Sequence, residues 1–425
     1  MAHDEATAAL KAPAKAYVPQ PEPGLTVETM VERARALIPL LRAQQDEADA
    51  RGCYSDEVHE AFKAAGFYRM LQPRMFGGYE FDFPSFIRVV MEISRGQPGA
   101  GWCFTLTSSH AMVVASHFPE EVQRELFGPE GDFRAPHRAP PSGQWVRADG
   151  GWIVSGRWSY SSGIPVATHF IGGGLIREEG KPPRTVNFIV PRDQITILPD
   201  WGDGASLGMD ASGSNTVELK DVFVPDRHLF REDVLLTSTD FGPEDGQGVR
   251  IHGNPMYLGV LGGLFHATFG GIFTGAARAA LDEYEETAAR TTAYRKPGVM
   301  RTDDIDTQIP FGQALTLTDC AEALTLSVAQ TCMEDFARAA RDGVPVTVAD
   351  TIRQWAMVRQ ATLMACDAVE LLFRTSPVRA ANRGEKMQRY LRDVQMYRIH
   401  PSSQAWVDPS RARSHWGMPI GRYGR

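Results

Sequence analysis

The sequence carries no surplus of positive charge, few cysteines and no long apolar run free of glycine. Its 44 Lys and Arg face 52 Asp and Glu, a formal net charge of −8. A chain of that sign repels a phosphate backbone, which argues against nucleic acid as a main partner. The five cysteines, Cys53, Cys103, Cys320, Cys332 and Cys366, are scattered with no CxxC pair. That argues against a disulfide framework or a zinc knuckle and suits a reducing cytoplasm. The one segment that mimics a membrane span, YLGVLGGLFHATFGGIFTGAA (Tyr257–Ala277), holds six glycines and His266. It reads as a buried helix whose small residues allow close packing.

Several nucleotide and hydrolase motifs are also missing. There is no GxxxxGK[ST] phosphate loop, no HExxH, no GxSxG elbow and no GxGxxG spacing around Gly172-Gly173-Gly174, which sit on an expected strand–loop. The eleven histidines form no compact ligand set. His110 and His117, seven apart, share a helical spacing without a carboxylate to help them, so no metal site is expected.

What is present is an ordinary globular composition, 43% hydrophobic and 23% charged, over 425 residues. That length suits two or three packed regions. Residues 1–25, rich in Ala, Pro and Lys, lack the basic start and apolar run of a secretory signal and read as a flexible arm. Residues 26–129 have helical spacing. Ser55 is placed to cap a helix ending near Gly66, Pro84 to open another, and a further helix is expected over Ala100–His117, with Pro119 starting the next. Residues 130–240 switch to strand spacing in GGWIVSGRWSYSSG, TVNFIVP, ITILP and NTVELKDVFVP. Residues 241–400 return to long helices of a bundle, and 401–425 form a polar tail broken by proline.

Helices, then a β region, then a helical bundle is the order of the acyl-CoA dehydrogenase fold, and three segments strengthen the likeness. GGWIVSGRWSYSSG (Gly150–Gly163) resembles the first strands of that family's β domain, where a Trp lies beside the flavin. DWGDGASLGMDASGSNTVELKDVFVP (Asp200–Pro225) is similar to its Ser-containing loop and following strand. RYLRDVQMYRIHPSSQ (Arg389–Gln404) resembles its last-helix signature, Arg-Asp followed by a reactive loop. The resemblance implies an α+β fold: an N-terminal helical domain, a central β-barrel or sandwich, and a C-terminal four-helix bundle.

A dehydrogenase of this family needs a carboxylate to remove the proton alpha to a thioester carbonyl. The loop that often carries it reads Ile399-His400-Pro401-Ser402-Ser403 here, without an acid; Glu322, Glu334 and Glu370 are the carboxylates available on earlier helices. His400, with the WSYSSG strand and GAGWCFTLTSSHAMVVASHF (Gly99–Phe118), resembles the oxygenase components of two-component flavin monooxygenases. Those include hydroxylases of hydroxyphenylacetate and secosteroid phenols and the dibenzothiophene oxygenases. The likeness implies that reduced FMN or FAD arrives from a separate NAD(P)H:flavin reductase and that O2 adds at flavin C4a. The resulting hydroperoxide then oxygenates a small aromatic or apolar substrate. It implies catalytic roles for His110, Ser162 and His400, and flavin contacts from Trp158, Ser161, Ser162, Ser212, Ser214 and Arg295. Relatives of this kind are homotetramers. Each residue also has a plain structural reading: Ser162 as a turn residue, His400 as a helix-end histidine, Trp158 and His110 as core. An acyl-CoA dehydrogenase or oxidase, or an N-oxygenase of an amino sugar, remain the alternatives.

Overall fold

The computed structural model describes residues 21–231, 240–294, 296–405 and 407–420. Arg295 therefore lies outside the described residues. The described residues open with eight α-helices: α1 (Val27–Ala36), α2 (Ile38–Ala43), α3 (Gln45–Arg51), α4 (Asp56–Ala65), α5 (Phe83–Gly96), α6 (Pro98–Ser108), α7 (Ala111–His117) and α8 (Glu120–Phe127). Their ends follow local chemistry. The Ser55 hydroxyl accepts from the Val58 N–H, and α4 stops at Gly66, whose φ of +81° suits a residue without Cβ. Asp82 caps α5, and Pro84 occupies its first turn, where the missing N–H costs nothing.

The single helix expected over Ala100–His117 is two helices. The Nδ1–H of His110 bonds the Leu106 carbonyl at 2.7 Å, the acceptor that the His110 backbone N–H would use to continue the helix. Local side-chain bonds of this kind compete with the helix ladder, and α6 ends before His110.

The middle region is a sandwich of two four-stranded sheets. Its strands are β1 (His137–Pro141), β2 (Gln144–Ala148), β3 (Gly151–Trp158), β4 (His169–Ile176), β5 (Arg184–Pro191), β6 (Thr196–Ile197), β7 (Val217–Pro225) and β8 (Leu229–Arg231). One sheet runs β1-β4-β5-β8 and the other β2-β3-β7-β6. Among the described residues only β1 and β4 pair in parallel. The glycine triplet expected at a strand–loop junction is the middle of β4. Glycine is needed there because neighbours approach closely. A Cβ on Gly172 would meet the Phe188 ring, one on Gly173 the Ala139 carbonyl, and one on Gly174 the Trp145 ring at 2.1 Å.

The last region comprises α9 (Gly248–His252), α10 (Gly262–Arg290), α11 (Ile305–Asp342), α12 (Val348–Thr375), α13 (Lys386–Ile399) and α14 (Val407–His415). Helix α10 is the buried centre. Gly263 makes room for Gln354 and Cys332, Gly270 for Thr325, and Gly275 for the α5 backbone at Met91. The small residues of Tyr257–Ala277 thus let α10 pack against α5, α11 and α12. No described helix is long and apolar enough to cross a membrane.

Candidate active site

Helix α6 is the wall shared by two clusters of sequence-selected residues. On one side Trp102 meets Phe269 at 5.0 Å and His400 at 5.7 Å between ring centroids. On an adjoining face α6 lies against two loops. A Cβ on Gly99 would stand 2.9 Å from that of Ala211, and one on Gly163 would strike the Cys103 carbonyl.

Those loops carry the serines. The Gly163 N–H donates to the carbonyls of Ser212 (3.0 Å) and Gly213 (2.9 Å), and the Ser161 N–H to that of Asn215 (3.1 Å). Ser162 Oγ and Ser212 Oγ each lie 2.7 Å from Ser214 Oγ. Three hydroxyls joined by two bonds leave one proton unspent. Ser162, 8% exposed, is the more open end of the chain. The Ser162 oxygen at that open end can accept from the N5–H that a reduced flavin carries, so the loop fits the cofactor implied by the resemblance.

Helix α13 clamps the same loop. The Asp393 carboxylate accepts from the Met209 N–H at 2.6 Å, and Arg392 donates to the Leu207 carbonyl at 3.0 Å and to Asp210 at 3.3 Å. Burial, with Asp49 nearby, pushes the Asp393 pKa up to about 7. The sequence marked Arg392-Asp393 only as a signature; its task of holding the serine loop is visible only in three dimensions.

Two of the expected flavin contacts, Trp158 and Ser161, have buried side chains. Trp158 is 1% exposed, packs on Phe170 and Phe188 between the sheets, and donates its indole N–H to the Gly173 carbonyl. The Ser161 hydroxyl, fully buried, donates back to the Trp158 carbonyl at 2.9 Å. Trp158 points between the sheets at the end of β3, and Ser161, beyond the strand, is held inward by its own turn. Tyr160 between them stands out instead. It is 62% exposed, has φ +61°, and sits edge-on to Trp201 at 5.8 Å. A positive φ in an aromatic residue is strained backbone of the kind that gathers at functional sites. The only sequence signal for it was one large ring among the serines of WSYSSG.

His400 follows α13. Its Nδ1 accepts from the Ser402 N–H at 3.1 Å, which assigns the proton of the neutral ring to Nε2. Phe269 and Tyr397 lie 5.0 and 6.5 Å from its ring. Burial, followed by the charge of Arg138, pushes its pKa down to about 4. The turn after it is fastened by Trp355 Nε1 to the Ser402 carbonyl (3.2 Å) and by Arg359 Nε to that of Ser403 (2.6 Å). His266 stacks on Trp355 at 4.2 Å, and burial pushes its pKa to about 3. The carboxylates weighed as dehydrogenase bases are occupied elsewhere: Glu322 by Arg278, Glu334 by Gln330, and Glu370 by Gln395 and Arg398.

His110 stands apart from this group. Its Nδ1 lies between the carbonyls of Leu106 (2.7 Å) and Ala135 (2.8 Å) and so carries hydrogen, while its Nε2 is buried without a partner. Its ring meets His137 edge-on at 5.6 Å, and His137 Nε2 donates to Asn187 at 3.0 Å. The ring neighbours of His110 and His400 are different residues. His110 is fixed by its helix break, whereas His400 is carried by α13. Among the described residues no group of three or more His, Cys, Asp or Glu side chains is placed to hold a metal ion.

Sequence models of the acyl-CoA dehydrogenase N-terminal and C-terminal domains match residues 28–130 and 267–405, together more than half of the chain. The chain is 28% identical over 396 residues to the flavin-dependent monooxygenase oxygenase subunit HsaA of Rhodococcus jostii, covering 92% of this chain and 99% of that protein. It is 25% identical over 227 residues to the oxygenase component of p-hydroxyphenylacetate 3-hydroxylase of Acinetobacter baumannii, 53% of each chain. The crystal structure of 3-HSA hydroxylase from Rhodococcus sp. RHA1 superposes with a TM-score of 0.82 and 25% identity, over 93% of this chain and 99% of that one. The chain belongs to the acyl-CoA dehydrogenase superfamily and, within it, to the oxygenase components of flavin-dependent monooxygenases.

Proposed function

We propose that the protein takes up reduced FMN or FAD, made by a separate NAD(P)H:flavin reductase and delivered by diffusion. With O2 it oxygenates a small aromatic or apolar compound in the cytoplasm. The outward hydroxyl of Ser162, backed by Ser214 and Ser212, holds the flavin ring. Bound reduced flavin supplies the electrons that activate O2. Trp102, Phe269 and Tyr397 keep water away from the reacting oxygen. His400 donates a hydrogen bond from Nε2 to that oxygen as it gains charge. The active assembly is a homotetramer, a dimer of dimers, joined through the C-terminal helices. In support, Ile305 and Ile309 of α11 are 57% and 52% exposed and line an open groove of about 700 Å³.

The observation that carries this reading is a neutral imidazole, with its proton on Nε2, where a dehydrogenase would hold a carboxylate. The test is rapid mixing of the protein–reduced flavin complex with O2, following H2O2 release. The native protein retains the oxidant, whereas His400→Ala binds reduced flavin within a few-fold and releases H2O2 roughly 10²-fold faster. Equal release from both proteins removes His400 from the mechanism. A dye reduced by acyl-CoA would instead favour a dehydrogenase.

A further inference from the structure

Tyr54 and Tyr68 are buried, and their hydroxyl oxygens lie 2.7 Å apart. Tyr68 Oη is also 2.9 Å from Nδ1 of His59, a half-buried ring on α4. The two phenols hold one proton each. With Nδ1 bare both protons are spent, Tyr54 donating to Tyr68 and Tyr68 to His59. Buried phenols elsewhere end on groups that take up no proton: Tyr257 on the Leu71 carbonyl, and Tyr390 beside the Gln45 amide. The pair lies close behind the site. Cys53, next to Tyr54, forms an antiparallel bridge with Ser212, and the Gly213 N–H donates to the Gly52 carbonyl at 2.7 Å. Phe104 of α6 packs on Tyr68 at 5.7 Å, while Trp102, two residues earlier and roughly 200° around the helix, meets His400. One helix, about 10 Å thick, separates Tyr68 from the rings around His400. The Arg134 guanidinium stands 5.0 Å from the Tyr68 ring. A positive charge there opposes a cationic ring, so Tyr68 gives up an electron only together with its proton, and His59 is the group placed to take it.

We propose that Tyr68, with His59 as its proton acceptor and Tyr54 aiming its hydroxyl, drains stray oxidising equivalents from the oxygen-activating site. The inference rests on the flavin-oxygenase reading above. When coupling fails H2O2 is released, and one electron from reduced flavin splits it into hydroxide and hydroxyl radical. That radical takes an electron from the Trp102 indole and becomes a second hydroxide. Trp102 regains the electron from Tyr68, whose proton moves to His59 Nδ1, leaving a neutral phenoxyl radical. Burial and the charge of Arg134 hold the His59 pKa below its ordinary value, so the ring hands the proton on to water, where it neutralises one hydroxide. A thiol in solution then supplies an electron and a proton, which restore Tyr68, and is left as a thiyl radical.

The protein–reduced FMN complex is mixed with O2 and H2O2 in the absence of an organic substrate, freeze-quenched, and read by electron paramagnetic resonance. The native protein is expected to show a tyrosyl radical, identified by the narrowing of its signal when the protein carries ring-deuterated tyrosine. Tyr68→Phe loses most of that signal. So does His59→Gln, whose amide accepts the hydrogen bond but cannot take the proton. Mass spectrometry of the same samples finds several-fold more oxidised Trp102 in Tyr68→Phe than in the native protein. Tyr68→Phe keeps the ring, so circular dichroism and anaerobic titration with reduced FMN stay unchanged; a merely structural role would move these and leave Trp102 intact. The proposal is overturned by native protein without a tyrosyl signal, by an undiminished signal in either variant, or by equal oxidation of Trp102. Native protein that binds neither reduced FMN nor reduced FAD refutes the flavin reading itself, a result distinct from the others.

Discussion

At the scale of one residue, the tautomer of His400 decides which chemistry is open to it. With Nδ1 committed to the Ser402 N–H, the free face is a donor. A base acting on a phenol would need Nε2 bare, which would set an Nδ1–H against the Ser402 N–H. Amide substitutions read this directly. In His400→Gln the amide nitrogen stands near the place of Nε2, and in His400→Asn near that of Nδ1. The Gln variant is expected to keep H2O2 release within about tenfold of the native rate, and the Asn variant to behave like His400→Ala. Equal rates in the two would show that the position of the donor does not matter. The sequence made His400 legible because it replaces an acid in a known loop. It could not reveal the tautomer, which depends on how a three-residue turn folds back. Ser162, Ser212 and Ser214 were legible as polar residues near glycine. Their joining into one chain depends on loops that meet some fifty residues apart.

At the scale of elements, α6 and α13 build the site between them. Gly99 brings the Ala211 loop against α6, and a methyl group there would sit 2.9 Å from Ala211 Cβ and 3.2 Å from its backbone nitrogen. Gly99→Ala is therefore expected to displace the serine loop, at a stability cost of about 1–3 kcal/mol, and to weaken reduced-flavin binding. Gly128→Ala, facing open space at φ +62°, carries only backbone strain and serves as the comparison. Calorimetry and anaerobic flavin titration read the two effects. Gly99→Ala with unchanged flavin affinity would free the loop from α6. Helix capping was legible here, at Ser55 and Pro84, since those signals are local. The break at His110 was not, because a histidine that captures its own helix acceptor leaves no mark in apolar spacing. The glycine triplet misled for the opposite reason. Glycine weakens an isolated strand, and its use in β4 depends on Trp145 and Phe188, which lie elsewhere in the chain.

At the scale of the whole molecule, buried histidines set the response to acid. Burial is the main cause that lowers His137 and His266 to about 3 and His169 and His400 to about 4, against 6.5 unfolded. His59, His110, His228 and His252 shift in the same direction. Below pH 6.5 the unfolded chain takes up protons that the folded chain refuses, so these groups withdraw stability as pH falls. Asp393 opposes them. Its folded pKa of about 7, against 3.8, adds stability between pH 7 and 4. The four strongly shifted histidines outweigh one aspartate by about three protons, at roughly 1.4 kcal/mol per pH unit for each. The melting temperature is expected to fall steadily from pH 7 to pH 5. A flat or rising profile would mean that these rings are wetter than their burial indicates. The order of the three regions was legible from the change of hydrophobic period alone, since a period survives without knowledge of contacts.

Helix α13 grips the serine loop through Asp393 and ends at His400, seven residues later. The rise of an α-helix makes that interval roughly 10 Å. On the function proposed above, the helix is thus a ruler between the serine loop that would meet the cofactor and the imidazole that would meet the oxidant. Its length cannot be tuned by one residue at a time, because a single insertion turns His400 by about 100° around the axis and out of its aromatic enclosure. On the same reading, adaptation to larger or smaller substrates is left to the surfaces on either side, the rings of α6 and α10 among them, while the separation of the two ends stays at two turns of one helix.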